Sequence, residues 1–223
     1  MSKRSTIPRS DLADALQREQ WFVGDACHEL RTSLAILACT AETICYQLPA
    51  DSRLLASAER MLRSTQEMEQ QLASLLLLAR EPHKLARTAV PLRPLVQDCM
   101  DRCQPWLADK PVVLVLEVGA EVQVCANAEL LRSLVGNLLR NACQHTREGE
   151  VHITLSARSL VIADTGPGLP AGIDPLHFER FVPSASFGGQ GLGLSIVQRM
   201  VAHLGWRMVV DSSAQGCRFG LQW

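Results

Sequence analysis

Residues 23–48 read VGDACHELRTSLAILACTAETICYQL, and the spacing of their apolar and small side chains predicts a long helix. These side chains recur in alternating steps of four and three, the pattern of a helix that packs along another helix. The seam positions are 23, 27, 30, 34, 37, 41, 44 and 48. The stretch 48–52, Leu-Pro-Ala-Asp-Ser, then predicts a turn, in which Asp51 or Ser52 can cap the next helix.

A second seam with the same alternation begins after this turn. It runs from Leu54 to Ala79, so the two helices are expected to form an antiparallel hairpin. Leu55, Leu62 and Leu76 widen the second stripe beyond what one partner helix covers. We therefore expect two hairpins to associate as a dimeric four-helix bundle. The alternative is a monomeric bundle that packs on the downstream part of the chain.

The second half of the chain mixes helix and strand periods. Glu81-Pro82 ends the hairpin, and a linker to about Val90 follows. Helices are predicted over about 92–107, 128–145 and 191–203, and strands over 112–118, 122–125, 151–155, 159–163, 206–211 and 217–222. This mixture is typical of an α+β unit, an α/β sandwich in which helices cover one face of a sheet.

Composition and charge restrict the classes of partner. The 223 residues carry a formal net charge of −1 and a pI near 6.6, so no basic field favours nucleic acid. The longest apolar run, 72–79, is shorter than the roughly 20 residues that span a bilayer, and no signal-peptide core follows Met1. The eight cysteines form no Cys-x-x-Cys pair, and we expect reduced thiols in a cytosolic protein.

His28 is the candidate nucleophile of the first helix. It lies one position beyond the seam residue Cys27, so its ring is expected at the solvent-exposed edge of the bundle. Imidazole can accept a phosphoryl group near neutral pH because a large fraction of it is uncharged there. The neighbouring Glu29 can accept or orient the ring proton. Taken alone, a histidine in such a place is usually an ordinary surface residue.

Asn137 and Asn141 are the candidate metal ligands. They are four residues apart on the strongest predicted helix, so their amides share one face. Amide oxygens suit Mg²⁺, which prefers oxygen ligands and remains partly hydrated beside phosphates. Asparagine is also a poor residue for the middle of a helix, which favours a reason for the pair. The alternative is a pair of helix asparagines that face water.

The residues after the strand predicted at 159–163 indicate a nucleotide pocket. Asp164 stands at the strand end and precedes Thr-Gly166-Pro-Gly168. A carboxylate there can accept a hydrogen bond from the exocyclic amine of adenine, and the glycines let the purine approach the backbone. By itself this motif is weak evidence, because aspartate and glycine are ordinary turn residues.

A second glycine cluster precedes the helix predicted to end near His203. Gly189, Gly191 and Gly193 open that helix, so its free N–H groups and its dipole suit a phosphate. A dinucleotide-binding fingerprint is the alternative, but the preceding buried strand and the final spacing of that motif are absent.

These motifs, in this order, resemble those of bacterial two-component sensor histidine kinases. The resemblance spans about residues 15–223 and rests on the stretch 22–34 around His28, on the asparagine pair and on both glycine turns. It implies a dimerisation and phosphoacceptor domain of the HisKA type, followed by a GHKL-type ATP-binding domain of the kind found in gyrase. The implied domains are an N-terminal linker at 1–14, the phosphotransfer domain at 15–82, a linker at 83–90 and the ATP-binding domain at 91–223.

The resemblance also implies roles for the first helix. Glu29 would assist autokinase chemistry, and Thr32 would position water for dephosphorylating a partner. Residues 28 and 32 share a helix face, so a hydroxyl at 32 can reach chemistry at His28; a bond from Thr32 to a helix carbonyl is the alternative. Ser33 stands where the family usually has proline, which should reduce bending of this helix.

Further roles follow from the resemblance for the ATP-binding domain. Asn141 would hold Mg²⁺, Asn137 would lie near the phosphates and His145 would border the nucleotide. Phe178-Glu-Arg-Phe181 resembles the family's lid over ATP, in which Arg180 would contact the γ-phosphate; a solvent-exposed arginine is the equal alternative. Gln144 stands where the family often has a lysine.

The implied function is an ATP-dependent protein-histidine kinase. A homodimer would autophosphorylate His28 with Mg-ATP and pass the phosphoryl group to an aspartate of a response-regulator receiver domain, with phosphatase action on that regulator as a further activity. A degenerate nucleotide-binding scaffold and an ATPase without histidine transfer are the alternatives. We expect a cytoplasmic portion of a longer inner-membrane receptor, or else a soluble kinase that responds to a separate protein.

Overall fold

The computed structural model describes residues 29–49, 52–79, 86–107, 110–169 and 192–223. The chain divides into two compact units, Met1–Arg80 and Glu81–Trp223. None of the described helices combines the length and the apolar character needed to cross a bilayer.

The described part of the first unit is helical. Residues 29–47 form helix α1, and Leu55–Ala79 form helix α2. Ser52 begins the second helix as predicted, because its hydroxyl and carbonyl accept hydrogen bonds from the N–H groups of Leu54 and Leu55 at 3.3 and 3.0 Å. Of the residues on the predicted seams, Ala41, Ala58 and Thr65 are buried, whereas the larger seam residues Leu30, Leu37, Ile44, Leu54, Met61 and Met68 are exposed in the single chain.

The described part of the second unit contains a mixed sheet, a smaller sheet and three α-helices. Its elements are β1 Thr88–Pro91, α3 Leu92–Asp101, a short 3₁₀ helix Gln104–Trp106, β2 Val112–Val118, β3 Gln123–Ala126, α4 Ala128–His145, β4 Gly149–Ser156, β5 Ser159–Asp164, α5 Leu192–Leu204, β6 Arg207–Ser213 and β7 Gly216–Gln222. The five-stranded sheet has the order β2-β4-β5-β7-β6. Strand β2 runs parallel to β4, and the other pairs are antiparallel.

Alternation of side chains along the central strands places the core on one face of this sheet. Val151, Ile153 and Leu155 of β4 are fully buried, and the residues between them are half-buried. The register sets Ile153 opposite Ile162 and Leu155 opposite Leu160 of β5, so one face is continuous and apolar. Helix α4 packs against β5, α3 and α5. The predicted α/β sandwich is thereby confirmed.

Helix α4 is the central element because it carries the candidate ligands. The side-chain oxygen of Asn127 accepts the N–H of Leu130 at 2.9 Å and caps the first turn. The Nδ2 of the same Asn127 side chain donates to the carbonyl of Ala86 at 3.2 Å. This bond links the segment before β1 to the start of the helix. The predicted bounds, 128–145, agree with the structure.

Two elements differ from the sequence prediction. The helix predicted at 92–107 ends at Asp101, and Pro105 lies instead in the short 3₁₀ helix, because proline cannot occupy a helix interior. Strand β1 was not predicted. It pairs with β3 over four residues, of which only Val90 is buried, so its apolar pattern is too short to detect.

Candidate functional site

The carboxylate of Asp164 stands at the end of β5 in a fixed orientation. Its Oδ1 accepts the N–H of Gly166 at 2.9 Å and the N–H of Cys217 at 3.3 Å. Among the described residues no donor reaches Oδ2. Burial raises the pKa of Asp164, and the two N–H groups and His145 oppose that rise. The structure therefore holds one carboxylate oxygen and leaves the other available to a ligand.

Close backbone packing fixes the strand end around this carboxylate. Gly216 has φ +136°, and a Cβ there would lie 1.8 Å from the carbonyl oxygen of Asp164. Gly168 has φ +79°, and its Cβ would lie 2.0 Å from the carbonyl oxygen of Ser213. Neither position admits a side chain. The turn after β5 is thus pressed against the β6–β7 hairpin, an approach that only glycine permits.

His145, in the last turn of α4, lies beside the same turn. A Cβ on Gly166 would be 3.3 Å from the His145 carbonyl oxygen, so the backbone at Gly166 is in close contact with the end of α4. Burial lowers the pKa of the His145 imidazole, Asp164 opposes this and Lys110 adds to it. Burial therefore favours the neutral form of the ring.

The two asparagines of α4 have different surroundings. Asn137 is buried, its Nδ2 donates to the Ser133 carbonyl at 2.7 Å, and its Oδ1 accepts from Arg140 Nη2 at 3.3 Å. Asn141 is half-buried, and within the described residues its amide makes no hydrogen bond. A Cβ on Gly193 would lie 3.5 Å from the Asn141 Oδ1. The fold thus brings Asn141 to the start of α5, whereas the Asn137 amide is engaged within its own helix.

Sequence reasoning missed Lys110, which precedes β2. Its ammonium donates to the carbonyl oxygens of Cys143 at 2.7 Å and Gln144 at 3.0 Å. These are orphan carbonyls of the last turn of α4, where a cation also complements the helix dipole. Burial lowers the pKa of Lys110. No sequence pattern indicates this contact, because it joins residues 33 and 34 positions apart.

Replacing Lys110 by methionine should destabilise the second unit by about 1–3 kcal/mol, since it leaves partly buried carbonyls without their charged donor. A fall in the thermal midpoint of roughly 3–10 °C is expected for a unit of this size, measured by circular dichroism. The matched control is Arg93→Met, because Arg93 pairs with Glu121 at the surface and exposed pairs contribute little. Equal midpoints for Lys110→Met and the wild type would contradict the assigned capping role.

The described end of the first helix carries two of the predicted residues. Glu29 and Thr32 are both exposed. The hydroxyl of Ser33 donates to the Glu29 carbonyl at 3.1 Å, and the helix continues through Ser33. Ser33, which stands where the family usually has proline, therefore adds a side-chain hydrogen bond to the helix. A proline at this position would instead remove a backbone N–H donor.

Several predicted site residues lie outside the described part of the chain: His28, Arg180, Gly189 and Gly191. Among the residues that the structure describes, no group of three or more His, Cys, Asp or Glu side chains could hold a metal ion.

Comparison with family models identifies two regions. Residues 18–84 match the His Kinase A (phospho-acceptor) domain. Residues 126–223 match the ATPase family described as histidine kinase-, DNA gyrase B- and HSP90-like. The second match contains Asn141, Asp164 and Gly193.

Curated relatives and solved structures resemble most of the chain. The swarming motility regulation sensor protein RssA of Serratia marcescens is 28% identical over 94% of this chain and 46% of its own length. The sensor protein QseC of Salmonella typhi is 34% identical over 93% and 48%. The chain thus spans about half the length of these relatives. The crystal structure of full-length ShkA in complex with AMPPNP superposes with a TM-score of 0.66 and 25% identity, covering 89% of this chain and 44% of that one.

Proposed function

Because the chain belongs to the sensor histidine kinases, we propose that it uses Mg-ATP to phosphorylate His28 and then phosphorylates an aspartate of a response-regulator receiver domain. The observation that carries this proposal is the carboxylate of Asp164, held by Gly166 and Cys217 through one oxygen only. A site built in this way selects a ligand that donates a hydrogen bond.

Adenine supplies such a donor in its exocyclic amine. In the proposed complex the amine donates to Asp164 Oδ2, and the neutral His145 ring borders the base. Glycine at 166 keeps this carboxylate in place, since a Cβ there would lie 2.9 Å from Asp164 Oδ1, the oxygen that accepts the Gly166 N–H. A buried carboxylate that accepts from the ligand also rejects bases that present a carbonyl there.

Asn141 is the proposed Mg²⁺ ligand. Its amide is half-buried, it has no partner within the described residues, and it offers one neutral oxygen of the kind Mg²⁺ accepts. The N-terminus of α5 beside it, with the glycines at 189, 191 and 193, is the proposed phosphate site. When bound, the ion neutralises charge on the phosphates. Asn137 is proposed near them through its position on α4, and Arg180 at the γ-phosphate.

His28 is the proposed acceptor. In the transfer, the bond between the γ-phosphorus and its bridging oxygen breaks, ADP leaves, and a bond from an imidazole nitrogen to phosphorus forms. Glu29 is proposed to take or orient the ring proton, because it adjoins the acceptor in the sequence and its side chain is exposed. The remaining contribution of the protein is positioning and charge neutralisation.

The proposed assembly is a homodimer through the first unit, whose domain we place at residues 15–82. The sequence predicted a linker at 83–90 and an ATP-binding domain at 91–223; because Thr88–Pro91 pair with β3 of the second unit, we extend the ATP-binding domain to include β1. In a single chain, several large apolar side chains of this unit are exposed: Leu30, Ile36, Leu37, Ile44, Tyr46, Leu54, Met61 and Met68. Six of them lie on the predicted seams: Leu30, Leu37, Ile44, Leu54, Met61 and Met68. A second hairpin would cover such a stripe. We place the chain in the cytoplasm, where receiver domains are found.

The deciding experiment is incubation of the chain with γ-labelled Mg-ATP, followed by treatment with acid or with base. A kinase gives a label that acid removes and base does not, because the phosphoramidate bond is acid-labile. A degenerate scaffold binds ATP without label, and an ATPase without transfer releases phosphate without label. Either of these results would reject the proposed autokinase.

Thr32→Ala should leave autophosphorylation within about twofold of wild type and slow dephosphorylation of the cognate regulator by about tenfold or more. A hydroxyl one turn from His28 can orient a water toward a docked phospho-aspartate, whereas transfer from ATP needs only the imidazole and Glu29. Both rates are measured with a labelled regulator.

The matched control for this prediction is Thr40→Ala. Thr40 is exposed on the same helix, where its hydroxyl bonds to the Ile36 carbonyl at 2.7 Å, and it should change neither rate. If Thr32→Ala lowers both activities together, Thr32 supports the helix instead. If only autophosphorylation falls, the two roles are reversed.

A further inference from the structure

Two buried thiols of the second unit are hydrogen-bonded to each other. Cys103 and Cys143 are 4% and 0% exposed and lie 40 positions apart in the sequence. The thiol of Cys143 forms a side-chain hydrogen bond with Cys103. Neither residue belongs to the proposed catalytic machinery, and both are reduced in this structure.

The segment that carries Cys103 is held against the last turn of α4 by a second, independent contact. Cys103 caps the 3₁₀ helix Gln104–Trp106, which packs on α4. A few residues later, Lys110 donates to the carbonyl of Cys143 itself at 2.7 Å. The segment that carries Cys103 and the last turn of α4 are therefore held together by these contacts as well as by the thiol pair.

The local surroundings make Cys103 the more reactive of the two. The hydrogen bond from Cys143 lowers the pKa of the Cys103 thiol, burial opposes this, and the Arg140 guanidinium lowers it further. The residues that flank Cys103 on the 3₁₀ side, Gln104 and Pro105, are exposed, and Cys103 itself keeps 4% of its surface exposed. A nucleophilic thiolate beside a second thiol is the arrangement from which a disulfide forms.

We propose that Cys103 and Cys143 are a redox-modification site, oxidised by hydroperoxides to an intramolecular disulfide that weakens nucleotide binding. The Cys103 thiolate attacks the terminal peroxide oxygen, forming a sulfenic acid and releasing an alcohol once a proton is taken up. The Cys143 thiol then attacks the sulfenic sulfur, and water leaves. Two thiols and one hydroperoxide thus give one disulfide, one alcohol and one water, and the peroxide is the species reduced.

The effect on the nucleotide site follows from geometry and rests on the proposed function. A disulfide draws two sulfurs to about 2.05 Å with a fixed dihedral angle, so Cys143 must move relative to the 3₁₀ segment. His145 lies two residues beyond Cys143, and its carbonyl already packs closely on Gly166, next to Asp164. A shift of this last turn therefore displaces the groups proposed to contact adenine, because close-packed backbone transmits small movements.

The test is treatment of the full chain with tert-butyl hydroperoxide, alkylation of the remaining thiols and peptide mapping under non-reducing conditions. A cross-linked peptide pair containing Cys103 and Cys143, lost on dithiothreitol treatment, is expected. In the same samples, the affinity for a fluorescent ATP analogue should fall about fivefold or more, equivalent to roughly 1 kcal/mol, and recover on reduction.

The controls separate this site from general oxidation. Cys103→Ala and Cys143→Ala should each keep their affinity after peroxide, whereas Cys125→Ala, which removes an exposed cysteine of the same unit, should behave as wild type. Absence of the 103–143 peptide pair in wild type overturns the proposal even if a variant fails to fold. A cross-link without loss of affinity overturns the coupling to nucleotide. If the reduced chain does not bind ATP at all, the proposed function fails, while the peptide map still reports on the thiol pair.

Discussion

His28→Ala should remove all acid-labile label from the chain after incubation with Mg-ATP, while ATP affinity remains within about twofold of wild type. The chain has six histidines, and the two in the described sheet and last turn of α4, His152 and His145, have other contacts. His152 bonds to Glu150 on the sheet, and the His145 ring is held neutral by burial. Only His28 has the predicted position at the edge of a helical bundle.

The physical reason for a complete loss is that no other side chain of the helix can replace imidazole. Imidazole is nucleophilic and largely uncharged near neutral pH, and its phosphoramidate is the bond that acid breaks and base does not. Glu29 and Thr32 flank the acceptor, but a carboxylate or an unactivated hydroxyl would give a bond of different acid and base stability.

His152→Ala is the control, because it removes an imidazole from the second unit without touching the first. It should label as wild type does. Label that persists in His28→Ala, with the same acid lability, would assign the acceptor to another histidine. Loss of ATP affinity in the same variant would instead indicate that the substitution disturbs more than the acceptor.

Asp164→Asn should weaken ATP binding by about 100-fold or more, the second large effect. The Oδ1 of Asp164 already accepts two N–H groups, from Gly166 and Cys217. An asparagine at 164 must keep its only carbonyl oxygen there, so its Nδ2 takes the place of Oδ2. A donor then faces the donating amine of adenine. Losing the charge-assisted bond and leaving a donor unpaired should cost about 3 kcal/mol of binding free energy. This corresponds to a roughly 100-fold weaker affinity for ATP.

The measurement is titration with a fluorescent ATP analogue at pH 7.5, with folding checked by circular dichroism. Asp211→Asn is the matched control, since Asp211 is exposed on β6 and is not part of the turn. Guanine carries a carbonyl where adenine carries the amine, so the ratio of ATP to GTP affinity should also fall in Asp164→Asn. An unchanged affinity and an unchanged ratio would show that Asp164 does not contact the base.

Local pattern was sufficient wherever one element contains its own signal. The apolar period predicted helix α4 at its observed bounds, because a helix is stabilised by contacts three and four residues apart. The predicted seams agree with the burial of Ala41, Ala58 and Thr65 for the same reason. The motif at 164–168 likewise indicated a turn at a strand end, where the structure places it.

The local sequence pattern did not predict the elements that depend on contacts with distant segments or on a steric restriction. Strand β1 depends on pairing with β3, and four residues with one buried side chain leave no periodic trace. The helix predicted at 92–107 was too long because apolar spacing continues past Asp101, whereas Pro105 limits the helix. In both cases the element is determined by its partner or by a steric restriction, and spacing alone does not record either.

The sequence by itself determined the order of the elements, the two packing seams and the identity of the groups that can do chemistry, because residue type and local spacing encode these directly. Only the tertiary structure decided which of those groups meet. It set Cys217 and Gly216 against Asp164, placed Lys110 on the end of α4 and paired Cys103 with Cys143. Each of these contacts spans more than 30 residues. They form because strands and helices must bury one common face, and the residues brought together at its edges are set by strand register and helix packing.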